Sequence, residues 1–248
     1  MSLPQVVSRE QWLAARTEFL TREKELTRAR DALSADRRRL PMVLVDKPYS
    51  FHGPAGTVTL ADLFDGRRQL VVQHVMFDPA WDEACKGCTA GVDEISAGFI
   101  AHINARDTSY VLVSRAPLEK LQKYAASRGW TLPWYSSEGS DFNYDFHVSL
   151  DATVAPVEFN YRGADALAKA GMEWILEGPS EQPGMSCFLA DGGNVYHTYS
   201  TFARGSEQLG GSYGLLDMTA LGRQEAWEEP KGRVEKPHGA DPSFTDQM

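Results

Sequence analysis

The sequence predicts an α/β fold, a central mixed sheet flanked by helices, and three features predict it. Leu70-Val71-Val72-Gln73-His74-Val75-Met76-Phe77 is a nearly continuous apolar run with three valines, the pattern of a strand buried on both faces. Ser109-Tyr110-Val111-Leu112-Val113-Ser114 repeats it, and each run is followed by residues at helical spacing. Ser186 to Ala190 and Val195 to Tyr199 flank the turn Asp191-Gly192-Gly193-Asn194 and read as a closing β-hairpin. Strands alternating with helices imply parallel pairing in a sheet covered by helices.

Taken in order, the elements fill 248 residues whose 42% hydrophobic and 24% charged content is that of a folded domain, and one elaborated domain is expected. Ser8-Arg9-Glu10-Gln11 has the form of a capping box, after which Trp12, Phe19, Leu26 and Leu33 recur with Ala15 and Ala29 between them. Residues 1–40 therefore read as a long amphipathic helix whose narrow apolar stripe packs on the body or pairs with a second subunit, core packing being the preferred reading. The body is expected over 41–227. Tyr49 to Gly56 carries the Pro and Gly of a loop. After the first strand, Val92, Ile95, Phe99 and Ile103 predict one helix, and Pro117 to Tyr124 opens another with Pro in its first turn. Trp130 to Pro183 mixes aromatic residues with Gly, Ser and Asp, and an insertion is placed around 135–183, before the final hairpin. Residues 228–248 are expected to be a mobile tail.

Charge and motifs exclude several classes. The formal net charge is −9, and Lys and Arg are dispersed apart from Arg37-Arg38-Arg39, so no nucleic-acid partner is expected. Apolar runs such as Leu70 to Val75 are far too short to span a bilayer. The opening Met-Ser-Leu-Pro-Gln-Val-Val lacks the basic and apolar regions of a secretory signal, so no membrane partner and a cytoplasmic address are expected. There is no Gly-x-x-x-x-Gly-Lys-Ser/Thr loop, His-Glu-x-x-His helix or Gly-x-Ser-x-Gly elbow. Three cysteines do not make a disulfide framework, and in a reducing compartment a close pair points to catalysis or metal binding.

That pair is Cys85-Lys86-Gly87-Cys88, placed where the central strand gives way to a helix. A helix start lowers the first thiol's pKa, so Cys85 is expected to attack as the thiolate and Cys88, one turn deeper, to resolve the mixed disulfide. Lys86 favours the thiolate, whereas Asp82 and Glu83 oppose it. Trp81, Lys86 and Gly87 are expected to shape the docking surface. The expected partners are a protein or small-molecule disulfide and a cellular dithiol donor. No cofactor beyond the redox-active Cys85–Cys88 disulfide, and no bound metal, is expected. A rival reading completes a zinc or copper site with Cys187 and His197, another leaves two buried thiols, and a third makes the scaffold a non-catalytic binding or redox-sensing module. Cys187 and His74 read as core residues. His197, in Tyr196-His197-Thr198-Tyr199-Ser200-Thr201, is surrounded by hydroxyls suited to a polar cluster.

An ordered set of longer stretches adds a resemblance. His74-Val75-Met76-Phe77, Cys85-Lys86-Gly87-Cys88, Ser114-Arg115-Ala116-Pro117-Leu118, Gly129-Trp130 with Pro133-Trp134, Asp141-Phe142-Asn143-Tyr144-Asp145-Phe146, His197-Thr198-Tyr199-Ser200 and Gly222-Arg223-Gln224-Glu225 together resemble the bacterial family called domain of unknown function 899. That family is classed as thioredoxin-like, so the resemblance implies a thioredoxin-like fold over most of the chain and names no reaction. The Trp-Cys-Gly-Pro-Cys text of thioredoxin is absent, Trp81 standing four residues upstream of Cys85. Where thioredoxins place a cis-proline at the start of the hairpin strand, this sequence has Gly184 or Met185, with Pro183 just before, and Met185 is the implied docking residue. The peroxiredoxin spacing also fails, because Lys86 stands where its reactive cysteine would.

Overall fold

The computed structural model describes residues 3–209 and 211–237. Its strands are β1 (Val43–Leu44), β2 (Ser50–Gly53), β3 (Gly56–Thr59), β4 (Gln69–His74), β5 (Thr108–Ser114), β6 (Trp134–Ser136), β7 (Ser149–Leu150), β8 (Glu158–Phe159), β9 (Arg162–Gly163), β10 (Ser180–Glu181), β11 (Gly184–Asp191) and β12 (Asn194–Phe202). The α-helices are α1 (Arg9–Arg37), α2 (Lys86–Asp93), α3 (Ala97–Asn104), α4 (Leu118–Arg128), α5 (Phe142–Asp145), α6 (Ala164–Lys169) and α7 (Ser212–Leu216).

Eight strands form one mixed sheet in the order β1-β12-β11-β4-β5-β6-β2-β3. β4, β5 and β6 run parallel, while β11 lies antiparallel to β4 and β12 antiparallel to β11. A parallel β-α-β unit with an antiparallel hairpin on the far side of its first strand is the thioredoxin-like arrangement, and the expected fold is the one adopted. The apolar runs explain the centre of the sheet: all seven residues of β5 are buried, as a strand covered on both faces requires.

Strand alternation sorts side chains into two cores. Leu70 and Val72 face a cluster with Phe51, Phe142 and Phe188. Val71 and Val75 face the other, with Cys88, Val92, Leu121 and Trp134. The segment between β6 and β11 has a third, smaller core of Val148, Leu150, Phe159, Leu167 and Ile175, with Phe202 of β12.

Three expectations need correction. The single helix expected after Cys88 is two, because Ser96 Oγ accepts the Phe99 N–H at 3.1 Å and caps a new start. The loop expected over Tyr49 to Gly56 contains the hairpin β2–β3, stabilised by pairing with β6 and by full burial of Phe51, neither of which a short polar sequence announces. The preferred packing of the N-terminal stripe on the body is not made. α1 has its reciprocal capping box, with Ser8 N–H to Gln11 Oε1 at 3.0 Å and Gln11 N–H to Ser8 Oγ at 3.2 Å. None of its residues is buried, and Trp12, Phe19, Leu26 and Leu33 all remain exposed.

Of the expected tail, Glu228 accepts the backbone N–H groups of Arg223 and Glu225, and residues 238–248 lie outside the described residues. No helix among the described residues is long and apolar enough to cross a membrane.

Candidate functional site

Beyond β4 the chain continues through Val75-Met76-Phe77, bends over residues 78–84 and returns at Cys85. The Cys85 N–H donates to the Met76 carbonyl at 2.9 Å, closing this loop beneath the dithiol. Cys85 is the N-cap of α2. Its carbonyl accepts the Thr89 N–H at 2.9 Å and Thr89 Oγ1 at 3.0 Å, and Thr89 Oγ1 also hydrogen-bonds Tyr124 Oη of α4 at 2.9 Å. The backbone under the first thiol is thus fixed by its own helix and by the next one. Cys88, at the third position of α2, is buried among Val75, Phe77, Val92 and Leu112, while Cys85 is half-buried at the edge of the same cluster. Both are thiols, and the pair approaches to 4.0 Å.

Two cations hold this loop. Lys120 Nζ donates to the Pro79 and Trp81 carbonyls at 2.8 and 2.7 Å. Arg115, which follows β5, donates through Nη2 to Asp78 at 2.6 Å, through Nε to Glu181 at 2.7 Å and through Nη1 to Tyr144 Oη at 2.8 Å. Glu181 is buried and its second oxygen accepts Ser149 Oγ at 2.8 Å. Burial pushes the Glu181 carboxyl up from its ordinary value, and the Arg115 charge opposes that shift. Asp78 belongs to the dithiol loop and Glu181 stands just before β11, so one guanidinium ties together the two segments that flank the thiols. Charged side chains immediately beyond the C-terminal ends of parallel strands, where open α/β sheets hold their ligands, were the available signal for Asp78 and Arg115. Nothing local pointed to Glu181.

The residues expected to act together are only partly gathered. Met185, the first residue after Gly184 in β11, packs against the cluster that holds Cys85 and Cys88. Lys86 is exposed and Gly87 half-buried in the first turn of α2. Trp81 is 38% exposed and belongs to neither core beside the sheet. Cys187 pairs with Val71 across the strands on the dithiol's side of the sheet, and burial raises its thiol. His197 lies against Phe146 and Phe188 on the opposite side, bonded to Ser200 as the hydroxyl-rich context suggested. The sheet therefore divides the four ligands of the rival metal reading, and no group of three or more His, Cys, Asp or Glu among the described residues is placed to hold a metal ion.

The pattern of the family described as a bacterial protein of unknown function, DUF899, matches residues 1–239. The chain belongs to this family. No match was found among curated proteins. Similar solved structures include a PrxQ mutant of Xylella fastidiosa, at 12% identity and a TM-score of 0.42 over 68% of this chain and 91% of that one. The peroxidoxin BcpB of Mycobacterium tuberculosis gives 16% and 0.41 over 68% and 92%. A putative protein disulfide isomerase of Bacteroides thetaiotaomicron gives 18% and 0.35 over 66% and 82%.

Proposed function

We propose that this member of the family is a thiol-disulfide oxidoreductase. The observation that carries the reading is Cys85 at the start of α2, half-buried against the cluster on which Met185 also packs, with Cys88 buried one turn in. The amide end of a helix favours an anion, which suits a thiolate at Cys85. Cys85 attacks one sulfur of a substrate disulfide; that S–S bond breaks, the attacked sulfur joins Cys85 in a mixed disulfide, and the other substrate sulfur leaves as a thiolate. Cys88, deprotonated in turn, attacks the Cys85 sulfur and releases the second substrate thiol. The substrate gains two electrons, the Cys85–Cys88 disulfide is formed, and a cellular dithiol donor reduces it again. Trp81, Lys86, Gly87 and Met185 border the approach, and the reducing cytoplasm is the setting.

Insulin-disulfide reduction driven by dithiothreitol, combined with thiol trapping and mass spectrometry, tests this. The expected result is a reversible Cys85–Cys88 disulfide, a loss of about a hundredfold or more in Cys85→Ser, and a trapped mixed disulfide in Cys88→Ser. Absence of any reversible disulfide, with Cys85→Ser unchanged, overturns the reading in favour of a redox-inert binding scaffold.

A second copy of the chain is the partner proposed for α1. Its exposed stripe repeats over four heptads, and its seven basic and six acidic residues nearly balance in a chain of net charge −9, so two such helices meet without strong repulsion. Light scattering should report a dimer that Leu26→Glu converts to monomer; a monomeric parent protein at micromolar concentration rejects it.

A further inference from the structure

The sheet face opposite the dithiol carries a chain of polar side chains that the thiol chemistry does not use. His197 Nε2 meets Ser200 Oγ at 2.8 Å, Ser200 Oγ meets Ser186 Oγ at 2.9 Å, and Ser186 Oγ meets His74 Nε2 at 2.9 Å. His74 is enclosed against Phe142 and Phe146, with ring centroids 5.7 and 6.3 Å away, and its Nδ1 has no hydrogen-bond partner among the described residues. A buried polar group with unmet capacity destabilises a core, and aliphatic side chains would fill these positions without that penalty. Packing does not account for the chain.

Its outer end opens on a cavity. His197 and Ser200 line two adjoining hollows of about 290 and about 490 Å³, which also share Val43 and Tyr161. Tyr161 Oη donates to the Ser200 carbonyl at 2.9 Å. Asn160 and Tyr161 form the two-residue turn between β8 and β9, with φ of 48° and 62°. Such a turn needs positive φ at both positions and favours Asn followed by Gly. Asn160 follows that rule, whereas Tyr161 holds a strained backbone where glycine would be relaxed. The strain places an aromatic side chain at the cavity, and strained residues gather at functional sites.

The rim carries one lysine, Lys47, against the carboxylates of Asp46, Asp141 and Asp145. Lys47 Nζ lies 2.6 Å from Asp145 and 2.8 Å from Asp141, and Tyr49 Oη donates to Asp145 at 2.7 Å. Burial holds the His197 imidazole below its ordinary pKa and keeps it neutral at pH 7. The one lysine is engaged twice, so an anion finds no waiting counter-charge, and the deeper His197 and Ser200 offer hydrogen bonds in place of charge. Tyr49, Phe146 and Tyr161 supply aromatic surface, and Ser200 Oγ supplies a hydroxyl that can give or accept a hydrogen bond as its neighbours in the chain reorient. We propose that this cavity binds a small, neutral aromatic molecule bearing a hydroxyl group, with the hydroxyl meeting Ser200 and the ring lying against the aromatic walls. The site stands on the opposite face from the dithiol and does not depend on the thiol reading.

Titration of the full-length protein with para-cresol, followed by calorimetry and by the ring resonances of His197, tests the proposal, with benzoate and benzylamine as charged comparators. The expected result is saturable binding of cresol that shifts His197, at least about tenfold tighter than either charged compound, and weakened about tenfold by Ser200→Ala. Because Ser200→Ala disturbs a buried chain, Tyr161→Gly provides a second variant that suits the turn. It should melt higher than the parent and bind cresol several-fold more weakly. Cresol that never saturates, charged compounds that bind as tightly, or unchanged cresol affinity in folded Ser200→Ala and Tyr161→Gly overturns the proposal.

Discussion

The two faces of the sheet treat their polar groups in opposite ways. On the dithiol face Cys85 stands half-buried at a helix start, and the nearby ions are matched, Arg115 alone engaging Asp78, Glu181 and Tyr144. On the other face four neutral groups run in line from the cavity to His74, whose Nδ1 is unmatched among the described residues. The first arrangement holds a reactive pair in place; the second retains a destabilising feature inside an apolar core. Gln73 and His74 show how little chain separates them. Gln73 accepts Tyr110 Oη at 2.5 Å on one face, while the next residue bonds Ser186 on the other.

The contrast can be broken most forcefully at Arg115. Arg115→Met leaves Glu181 buried without its cation, and a loss of about 3–5 kcal/mol in urea unfolding is expected. Adding Glu181→Gln should recover a large part of it. A single variant that costs under about 1 kcal/mol would mean that the clamp does not hold the dithiol loop.

His74 gives an intermediate effect with a definite sign. Burial lowers its pKa to about 3, so between that pH and its ordinary value near 6.5 the unfolded chain binds the proton that the folded chain refuses. Stability should therefore fall as pH falls through this window, by about 1.4 kcal/mol per pH unit from this residue. His197, also lowered by burial, acts in the same direction. His74→Gln should flatten the profile measured by denaturant titration at several pH values, and an unchanged slope would assign the acid sensitivity to other groups.

The smallest change sharpens the dithiol side. Tyr124→Phe removes the hydrogen bond to Thr89 and should cost about 1 kcal/mol, with faster amide exchange over α2. Unaltered exchange there would show that the Cys85 carbonyl alone anchors the helix.

Legibility followed burial and sequence distance. β4, β5 and the hairpin β11–β12 were readable because strands covered on both faces or closed by a Gly-Gly turn leave apolar runs and turn residues in the sequence. β2 and β3 were not, since short strands toward the end of a sheet, with only Phe51 and Gly53 of their residues buried, depend on pairing more than on composition. The break between α2 and α3 was missed because Ile95, Phe99 and Ile103 keep the helical period across the Ser96 cap. The Arg115 clamp was invisible for another reason: Glu181 is 66 positions away, and no local pattern encodes that meeting.

The sequence alone determined the alternation of strand and helix, the capping box of α1 and the seating of Cys85 and Cys88 at a strand-to-helix junction, since each arises from residues within a few turns of one another. Only the tertiary structure decided which side chains share a face. Pairing register turns Met185 toward the dithiol and sends His197 and Ser200 to the opposite core, because register is set by contacts between strands that are distant in the chain. The exposure of the α1 stripe is likewise a tertiary outcome, since burial depends on what packs against a helix and not on its own pattern.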